Sequence, residues 1–224
     1  MRYLIVNADD LGASPGITRG ILESHVRGIV TSASLMVDTA SSAGAAALAR
    51  SATALSVGLH VVLPGDDFTG DLGAELRRQV DRFATLMGGP PTHIDSHHNA
   101  HRDPRLLAGF LELSSRTGRP LREHSPVRYF SKFYGQWGGQ SHPEHIGVES
   151  LARMLKDDVG EGITELSCHP GYVDPREPSG YTVEREVEVR TLCDPRIPTE
   201  LAALGITLVS YHDLGRLAAI RVPG

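Results

Sequence analysis

The sequence predicts an α/β fold built as a TIM-like (β/α) barrel of seven or eight strands, either complete or one strand short. Two observations support this fold class. Short apolar runs alternate with amphipathic stretches along all 224 residues, and such alternation is typical of parallel strands covered by helices. Seven or eight strand–helix units in a chain of this length favour a barrel. An open, doubly wound parallel sheet is the alternative fold.

Six apolar runs are predicted as strands, and one or two further short strands are expected within Pro120–Phe130. The six are Arg2–Asn7, Thr31–Val37, Ser56–Leu63, Thr92–Ser96, Ile163–Cys168 and Ile206–Ser210. Amphipathic segments predict helices after Ser14, around Ala43–Arg50, over Asp71–Met87, after Asp103, over Glu149–Asp158 and over Thr182–Leu192. Phe133–Pro143 is rich in glycine and aromatic residues and is predicted as a loop.

Two of the helix starts carry a specific signal. Ser14 and Asp103 are residue types that cap helix N-termini, and each is followed by a proline. Proline is favoured at the first helical position, because the N–H that it lacks would have no partner there. We therefore expect helices to begin at these prolines and to end near Gly28 and Gly118.

Composition and charge describe an ordinary soluble domain. Hydrophobic residues make up 40% of the chain and charged residues 22%, as in most globular proteins. The formal net charge of −5 and the lack of long basic runs argue against nucleic acid or an anionic membrane as a partner. The first residues do not look like a signal peptide, and no apolar stretch is long enough to cross a bilayer, so we expect a cytoplasmic protein.

No linker or repeat divides the chain, so residues 1–224 are expected to form one catalytic domain. Cys168 and Cys193 are its two cysteines. In a cytosolic chain, two cysteines are more often free thiols than a disulfide. Cys168 stands beside His169 at the end of a predicted strand, where neighbouring side chains point to opposite faces. We therefore expect the Cys168 thiol to be packed in the interior.

Polar residues cluster at the ends of four predicted strands. The clusters are Asn7–Asp10, Gly58–His60, Asp95–His101 and Cys168–Gly171. In parallel α/β folds the carboxyl ends of the strands form the mouth of the active site. Aspartate and histidine side chains that are far apart in sequence can therefore meet there, and a catalytic metal site requires such a set of ligands.

Each cluster also has an ordinary structural explanation. The Asp9–Asp10 pair could form an Asx-turn or cap the next helix. A histidine within an apolar run, such as His60, is most often a core residue with satisfied hydrogen bonds. His97 could be solvated in a loop, and His169 could simply end a strand. That all four explanations hold together is improbable, because polar residues at these strand ends are usually functional.

Taken together, these motifs resemble the carbohydrate deacetylases of the YdjC type, a family that includes chitooligosaccharide deacetylases. The matching segments are LIVNADDLG (4–12), GIVTSASL (28–35), GLH (58–60), THIDSHHNAH (92–101), ELSCHPG (165–171) and YTVEREVEVRTLCDP (181–195). They occur in the family's order and span nearly the whole chain. Each motif alone would be weak evidence, but the combination is specific.

The resemblance implies roles for five residues. Asp10, His60 and His97 match the family's metal ligands, Asp9 matches the proposed catalytic base, and His169 matches the proposed acid. A TIM-barrel-like fold and a homodimer are also implied. One divalent ion is expected, either Mg²⁺ from the usual description of the family, or Zn²⁺ or another transition metal from the ligand types.

The sequence departs from the family at Asn99, where a second histidine is common. His101 is retained, and we expect it to contact the substrate. Arg185 is expected to contact the substrate as well, although an ordinary ion pair within a helix would explain it equally. Asp95 is expected to orient a histidine ligand by a hydrogen bond or to cap its loop.

The expected activity is metal-dependent hydrolysis of the N-acetyl amide of an amino sugar or N-acetylated oligosaccharide, with release of acetate. Asp9 would remove a proton from water, and His169 would protonate the leaving amine. One alternative is another barrel metal hydrolase, such as an amidohydrolase or phosphoesterase, although these typically carry His-x-His after the first strand. The other alternative is a sugar-binding homologue without catalysis.

Overall fold

A computed structural model of the chain describes residues 1–65, 68–173 and 180–220. The strands are β1 (Arg2–Leu11), β2 (Ser32–Leu35), β3 (Ser56–Val61), β4 (Ile94–Ser96), β5 (Arg128–Phe130), β6 (Gln136–Trp137), β7 (Gln140–Ser141), β8 (Gly162–Cys168) and β9 (Ile206–Leu208). The helices are α1 (Pro15–Val26), α2 (Ser42–Ser51), α3 (Leu72–Met87), α4 (Pro104–Thr117), α5 (Val148–Asp158), α6 (Val183–Leu192), α7 (Arg196–Ala203) and α8 (Leu214–Ile220). Short 3₁₀ helices cover His97–Arg102, Pro143–Ile146 and Tyr211–Asp213.

Strand β1 is the centre of a parallel sheet. Within the described residues this sheet has seven strands, in the order β4, β3, β2, β1, β8, β5, and β9 also pairs with β1. β8 pairs with one edge of β1 from Arg2 to Ala8. On the other edge, β9 pairs with residues 2–4 and β2 with residues 7–11. The sheet therefore divides at β1, and it curls into a half-barrel.

The predicted α/β class with parallel strands is confirmed, but the sheet does not close as a full TIM barrel. An isolated bridge between Ile94 and Leu121 adds a pairing at the β4 edge. No strand in the described part of the chain joins that edge to β5. The open-sheet alternative is also compatible with this connectivity.

Both predicted helix caps are confirmed. The Ser14 side chain accepts a hydrogen bond from Ile17 N, and the Asp103 side chain accepts one from Arg105 N. Each helix then starts at a proline, as expected from the cap-proline signal. α4 ends at the predicted Gly118, where φ is 65°.

The hairpin and the last helices differ from the sequence prediction. Phe133–Pro143 is not only a loop, because β6 and β7 pair there as a short antiparallel hairpin. Its Gly138–Gly139 turn has φ values of 59° and 74°, which a tight two-residue hairpin turn requires. α7 and α8 were not predicted, because Pro198 and Gly215 interrupt their short patterns.

The two cysteines are free thiols, as predicted. Cys168 is completely buried in the main apolar core, whereas Cys193 is partly buried. The Cys168 thiol donates a weak hydrogen bond to Asn7 O at 3.3 Å. Across the described residues, no helix has both the length and the apolar character needed to cross a bilayer.

Helix α1 packs closely against the segment that follows β8. A Cβ atom added to Gly20 would lie 2.5 Å from Gly171 Cα. One turn earlier, Gly16 O accepts a hydrogen bond from Tyr172 N at 3.1 Å. The small residues on this face of α1 let the backbone after His169 lie directly against the helix. This contact fixes the end of β8.

Replacement of Gly20 by alanine tests this contact. We expect Gly20→Ala to lower the free energy of unfolding by about 1–3 kcal/mol, because the added methyl group overpacks a backbone contact. Gly44→Ala is the matched control in α2, since Gly44 is exposed and an added Cβ atom meets nothing within 4 Å. That change should stabilise the protein by about 0.5–1 kcal/mol. Urea unfolding measures both, and equal effects would contradict the close contact.

Candidate active site

The carboxyl ends of β1, β3, β4 and β8 meet at a cavity of about 590 Å³. Six of the eight predicted site residues line it: Asp9, Asp10, His60, His97, His169 and Arg185. Other lining residues include Asn99, Tyr129, Tyr134, Gln136, Ser167 and Tyr181. Asp95 is buried behind His60, and His101 is not among the lining residues.

Three possible metal-ligand atoms lie close together in the cavity, one each from Asp10, His60 and His97. Asp10 Oδ1 lies 3.4 Å from His60 Nε2 and 3.3 Å from His97 Nδ1, and this oxygen is buried without a hydrogen-bond partner. Two atoms bound tetrahedrally to an ion at about 2.1 Å would be about 3.4 Å apart. The three side chains therefore fit a divalent metal ion that keeps open positions toward the cavity.

A β-bulge in β1 brings both aspartates to the cavity. The register between β1 and β2 shifts between Ala8 and Leu11. Asp10 has a φ of 69°, a left-handed conformation that residues other than glycine rarely adopt. In a regular strand the neighbouring side chains of Asp9 and Asp10 would point to opposite faces. The bulge breaks this alternation, and both carboxylates line the same cavity.

Asp95 fixes the orientation of His60. Asp95 Oδ1 lies 2.7 Å from His60 Nδ1, and both side chains are buried. Burial alone would lower the pKa of His60, but the carboxylates of Asp95 and Asp10 outweigh it and raise that pKa to about 10. Nδ1 is directed at Asp95 and Nε2 faces Asp10, so a metal ion that binds Nε2 would displace the proton that this high pKa keeps there. That Asp95 orients a metal ligand stays a prediction.

Arg185 reaches the ligand set from α6. Its NH2 group donates to Asp10 Oδ2 at 2.7 Å, and its NH1 group donates to His169 O at 3.2 Å. Burial would raise the pKa of Asp10, but His60, His97 and Arg185 hold it well below its usual value. Arg185 thus forms an ion pair with another element and not the helical pair considered above. Its contact with substrate stays a prediction.

Asp9 is held by Arg122, a buried arginine that the sequence analysis missed. The two terminal nitrogens of Arg122 donate to the two oxygens of Asp9, both at 2.8 Å. Asn7 Nδ2 donates to Asp9 Oδ1, also at 2.8 Å. A bidentate arginine pair fixes both the position and the plane of a carboxylate. Asp9 therefore has one defined orientation toward the cavity.

A second group of side chains, Asp9, His60 and Asp95, is also close enough to hold an ion. However, the guanidinium of Arg122 already lies between its two carboxylates, 2.8 Å from Asp9 and 2.9 Å from Asp95. A metal ion there would compete with Arg122 for both carboxylates, whereas Asp10 Oδ1 in the first set has no hydrogen-bond partner. The set of Asp10, His60 and His97 is therefore the better candidate.

His169 faces Asp9, with Nε2 4.0 Å from Asp9 Oδ2. Burial lowers the pKa of His169, and its Nδ1 atom has no hydrogen-bond partner. The imidazole is therefore neutral near pH 7 and must gain a proton before it can act as an acid.

Glu188 connects His169 to the β6–β7 hairpin. One oxygen of Glu188 accepts a hydrogen bond from His169 N, and the other accepts one from Tyr181 OH at 2.5 Å. Tyr181 in turn accepts a hydrogen bond from Gly135 N at 2.9 Å. Burial raises the pKa of Glu188 to about 8 against the effect of these hydrogen bonds. The network ties three chain segments together beside the cavity.

His101 does not line the cavity, so the structure gives no support to its expected contact with the substrate. Its side chain is completely buried, with Nδ1 2.7 Å from Ser96 Oγ and Nε2 3.2 Å from Glu123. These contacts anchor the 3₁₀ helix that carries His97. Asn99 lines the cavity instead, with a φ of 53°.

Arg122 and Glu188 are the main site residues that sequence reasoning missed. Arg122 lies in a segment without clear periodicity, so no local signal marked it. Glu188 and Tyr181 lie in the last matching segment, where the resemblance gave them no role. Arg122 pairs with Asp9, 113 residues away, and Tyr181 accepts from Gly135 N, 46 residues away, so local sequence does not show these contacts.

Comparisons with known proteins agree with the motifs. The YdjC-like protein family matches residues 3–70 and 68–203. A carbohydrate deacetylase of Geobacillus stearothermophilus is 35% identical, covering 96% of this chain and 99% of that protein. A chitooligosaccharide deacetylase of Serratia marcescens is 32% identical, covering 95% of this chain and 99% of that protein.

A solved structure from Enterococcus faecalis, named as a candidate cellobiose-phosphate cleavage protein, has a TM-score of 0.82 at 29% identity. It covers 95% of this chain, and this chain covers 98% of it. The family predicted from the motifs is thus confirmed, and the chain belongs to the YdjC-like protein family.

Proposed function

We propose that the protein is a metal-dependent carbohydrate deacetylase that hydrolyses the N-acetyl amide of an amino sugar or an N-acetylated oligosaccharide. The observation that carries this proposal is the set of Asp10, His60 and His97 beside Asp9 and His169 in one cavity. An amide is a poor electrophile with a poor leaving group, and a cation, a base and an acid together can overcome both obstacles. The names of the relatives support deacetylation of a carbohydrate.

Asp10, His60 and His97 would hold the divalent ion, and Asp95 would keep His60 in the ligating orientation. When bound, such an ion polarises the acyl oxygen and acidifies a water molecule. Two imidazoles and one carboxylate suit Zn²⁺, Fe²⁺, Co²⁺ or Ni²⁺. Mg²⁺, which the family resemblance implies, prefers more oxygen ligands.

In this proposal Asp9 is the general base. Arg122 and Asn7 hold its carboxylate, which takes a proton from water while the water oxygen bonds to the acyl carbon. His169 Nε2 lies 4.0 Å from Asp9 Oδ2, so this proton would pass to the neutral His169 through one bridging water molecule. His169 passes the proton to the amine nitrogen as the C–N bond breaks. The products are acetate and the free amino sugar.

The other functions considered above stay as alternatives. The name of the Enterococcus faecalis protein favours a phosphorylated sugar as an additional substrate to examine. Three further expectations also stay predictions. They are that residues 1–224 form one catalytic domain, that the protein is a homodimer, and that it acts in the cytoplasm.

A screen of the reconstituted protein tests the activity. We expect acetate release from N-acetylglucosamine, its β-1,4-linked dimer or a related N-acetylated sugar in the presence of one of Mg²⁺, Zn²⁺, Co²⁺ or Ni²⁺. A chromogenic phosphate ester and a phosphorylated disaccharide serve as comparison substrates. Phosphate release without acetate release would favour the phosphoesterase. Sugar binding without turnover in any metal would favour the non-catalytic homologue.

Loss of a ligand should empty the metal site. His60→Ala and His97→Ala each delete one of three protein ligands, so both variants should bind far less divalent ion. Elemental analysis after dialysis measures this, and His25→Ala is a suitable control because His25 contacts Val30 O outside the cavity. Full occupancy in both ligand variants would refute the ligand set.

Asp9 and Asp10 should be separable by metal titration. Asp9→Asn leaves the three ligands intact but cannot accept a proton, so kcat should fall by about 10²–10⁴-fold with normal metal binding. Asp10→Asn replaces a charged ligand by a neutral one, and its activity should partly recover in excess metal. Acetate release is followed while metal is added to each variant. Rescue of Asp9→Asn alone would reverse the two assignments.

A further inference from the structure

The β6–β7 hairpin presents two different faces. Tyr134 and Gln136 line the cavity, as expected for residues two apart on one face of an extended segment. Trp137, the next residue of β6, is not among the residues that line the cavity. Its ring stacks on His142, with ring centroids 3.8 Å apart. The hairpin therefore separates an inner face, formed by Tyr134 and Gln136, from an outer face that carries Trp137.

Tyr134 is a partly exposed aromatic side chain in a cavity that is otherwise polar where Asp10 and the two histidines lie. It is 38% exposed, although a large aromatic side chain gains free energy from burial. One face of its ring stacks on Tyr181, with centroids 4.8 Å apart and planes 9° from parallel. Tyr134 lines the cavity, so the exposed part of its ring is available to a ligand there.

The rest of the structure holds this ring in place. Tyr181 donates to the buried Glu188 at 2.5 Å and accepts from Gly135 N at 2.9 Å. Gln136 donates to Gly180 O at 2.7 Å, which ties the hairpin to the residue before Tyr181. Tyr134 is thus pre-ordered, and binding a ligand against it would cost little conformational entropy.

We propose that the inner face of the hairpin is a sugar-binding platform, on which Tyr134 stacks against the apolar face of the pyranose ring. This inference rests on the proposed function. The C–H groups on one side of a pyranose ring form a flat apolar surface, and an aromatic ring is a suitable partner for it. Gln136 adds an amide that can bind a ring hydroxyl.

The platform lies beside the reacting groups. The ring centroids of Tyr134 and His169 are 5.7 Å apart, with planes 71° from parallel. A sugar ring held on Tyr134 would therefore direct its acetamido group toward His169 and the adjacent Asp9. Tyr134 would determine that the substrate is a pyranose and not an open-chain amide, without taking part in the chemistry.

The test measures sugar binding in four variants. N-Acetylglucosamine and its β-1,4-linked dimer are titrated calorimetrically into full-length, metal-loaded protein that carries Asp9→Asn, so that the sugar is not consumed. Tyr134→Ala and Tyr134→Leu should weaken binding on the order of tenfold, because each removes the aromatic face. Tyr134→Phe should stay within about twofold of the parent. In the active background, KM should rise with little change in kcat.

Trp137→Ala is the matched control, because it removes a larger aromatic side chain from the other face of the same hairpin. It should bind both sugars as the parent does, and thermal unfolding verifies that all variants fold. Unchanged binding in Tyr134→Leu and Tyr134→Ala would overturn the platform, as would an equal loss in Trp137→Ala or no sugar binding by the parent.

These outcomes are distinguishable from failure of the proposed function. Acetate release by the wild-type protein, together with unchanged sugar binding in the Tyr134 variants, would refute the platform alone. Sugar binding that depends on Tyr134, without acetate release in any metal, would refute the deacetylase and retain the platform.

Discussion

The buried guanidinium of Arg122 is the interaction on which the cavity depends. It contacts the carboxylates of Asp9, Asp95 and Glu165 within 2.9 Å, and its side chain is almost completely buried. Buried carboxylates are costly unless paired, so this one cation makes the arrangement possible. Three carboxylates around one guanidinium still leave negative charge. Asp95, together with Asp10, raises the pKa of His60 despite its burial, and the excess negative charge favours a cation at the neighbouring ligand set.

The same charge distribution gives two adjacent aspartates different properties. Asp9 Oδ1 accepts from both Arg122 and Asn7, whereas Oδ2 accepts from Arg122 and faces His169. Asp10 directs one oxygen to Arg185 and the other, without a hydrogen bond, to the two histidines. The two carboxylates are chemically identical, so their different roles come from their different surroundings, as in other sites with paired acids. The β-bulge in β1 is the local feature that permits this, because it brings both side chains to one cavity.

Contacts between segments that are distant in sequence fix the residues around the two aspartates. α1 lies against the backbone after His169, and Glu188 joins His169 N to Tyr181 and so to the hairpin. The acid candidate and the aromatic platform are thereby positioned by one network. A rigid scaffold that places reactive groups on strand ends and adds recognition from loops is typical of parallel α/β enzymes.

The sequence by itself determined the strand–helix alternation and the caps at Ser14 and Asp103, because these depend on residues near one another in the chain. The order of its motifs along the chain identified the family. The sequence also indicated which aspartates and histidines stand at strand ends. Only the tertiary structure decided that the sheet curls without closing, that His101 is buried, and that Arg122 binds Asp9. Arg122 and Asp9 are 113 positions apart in the sequence. Such a pairing is set by how the strands assemble, and no local pattern encodes it.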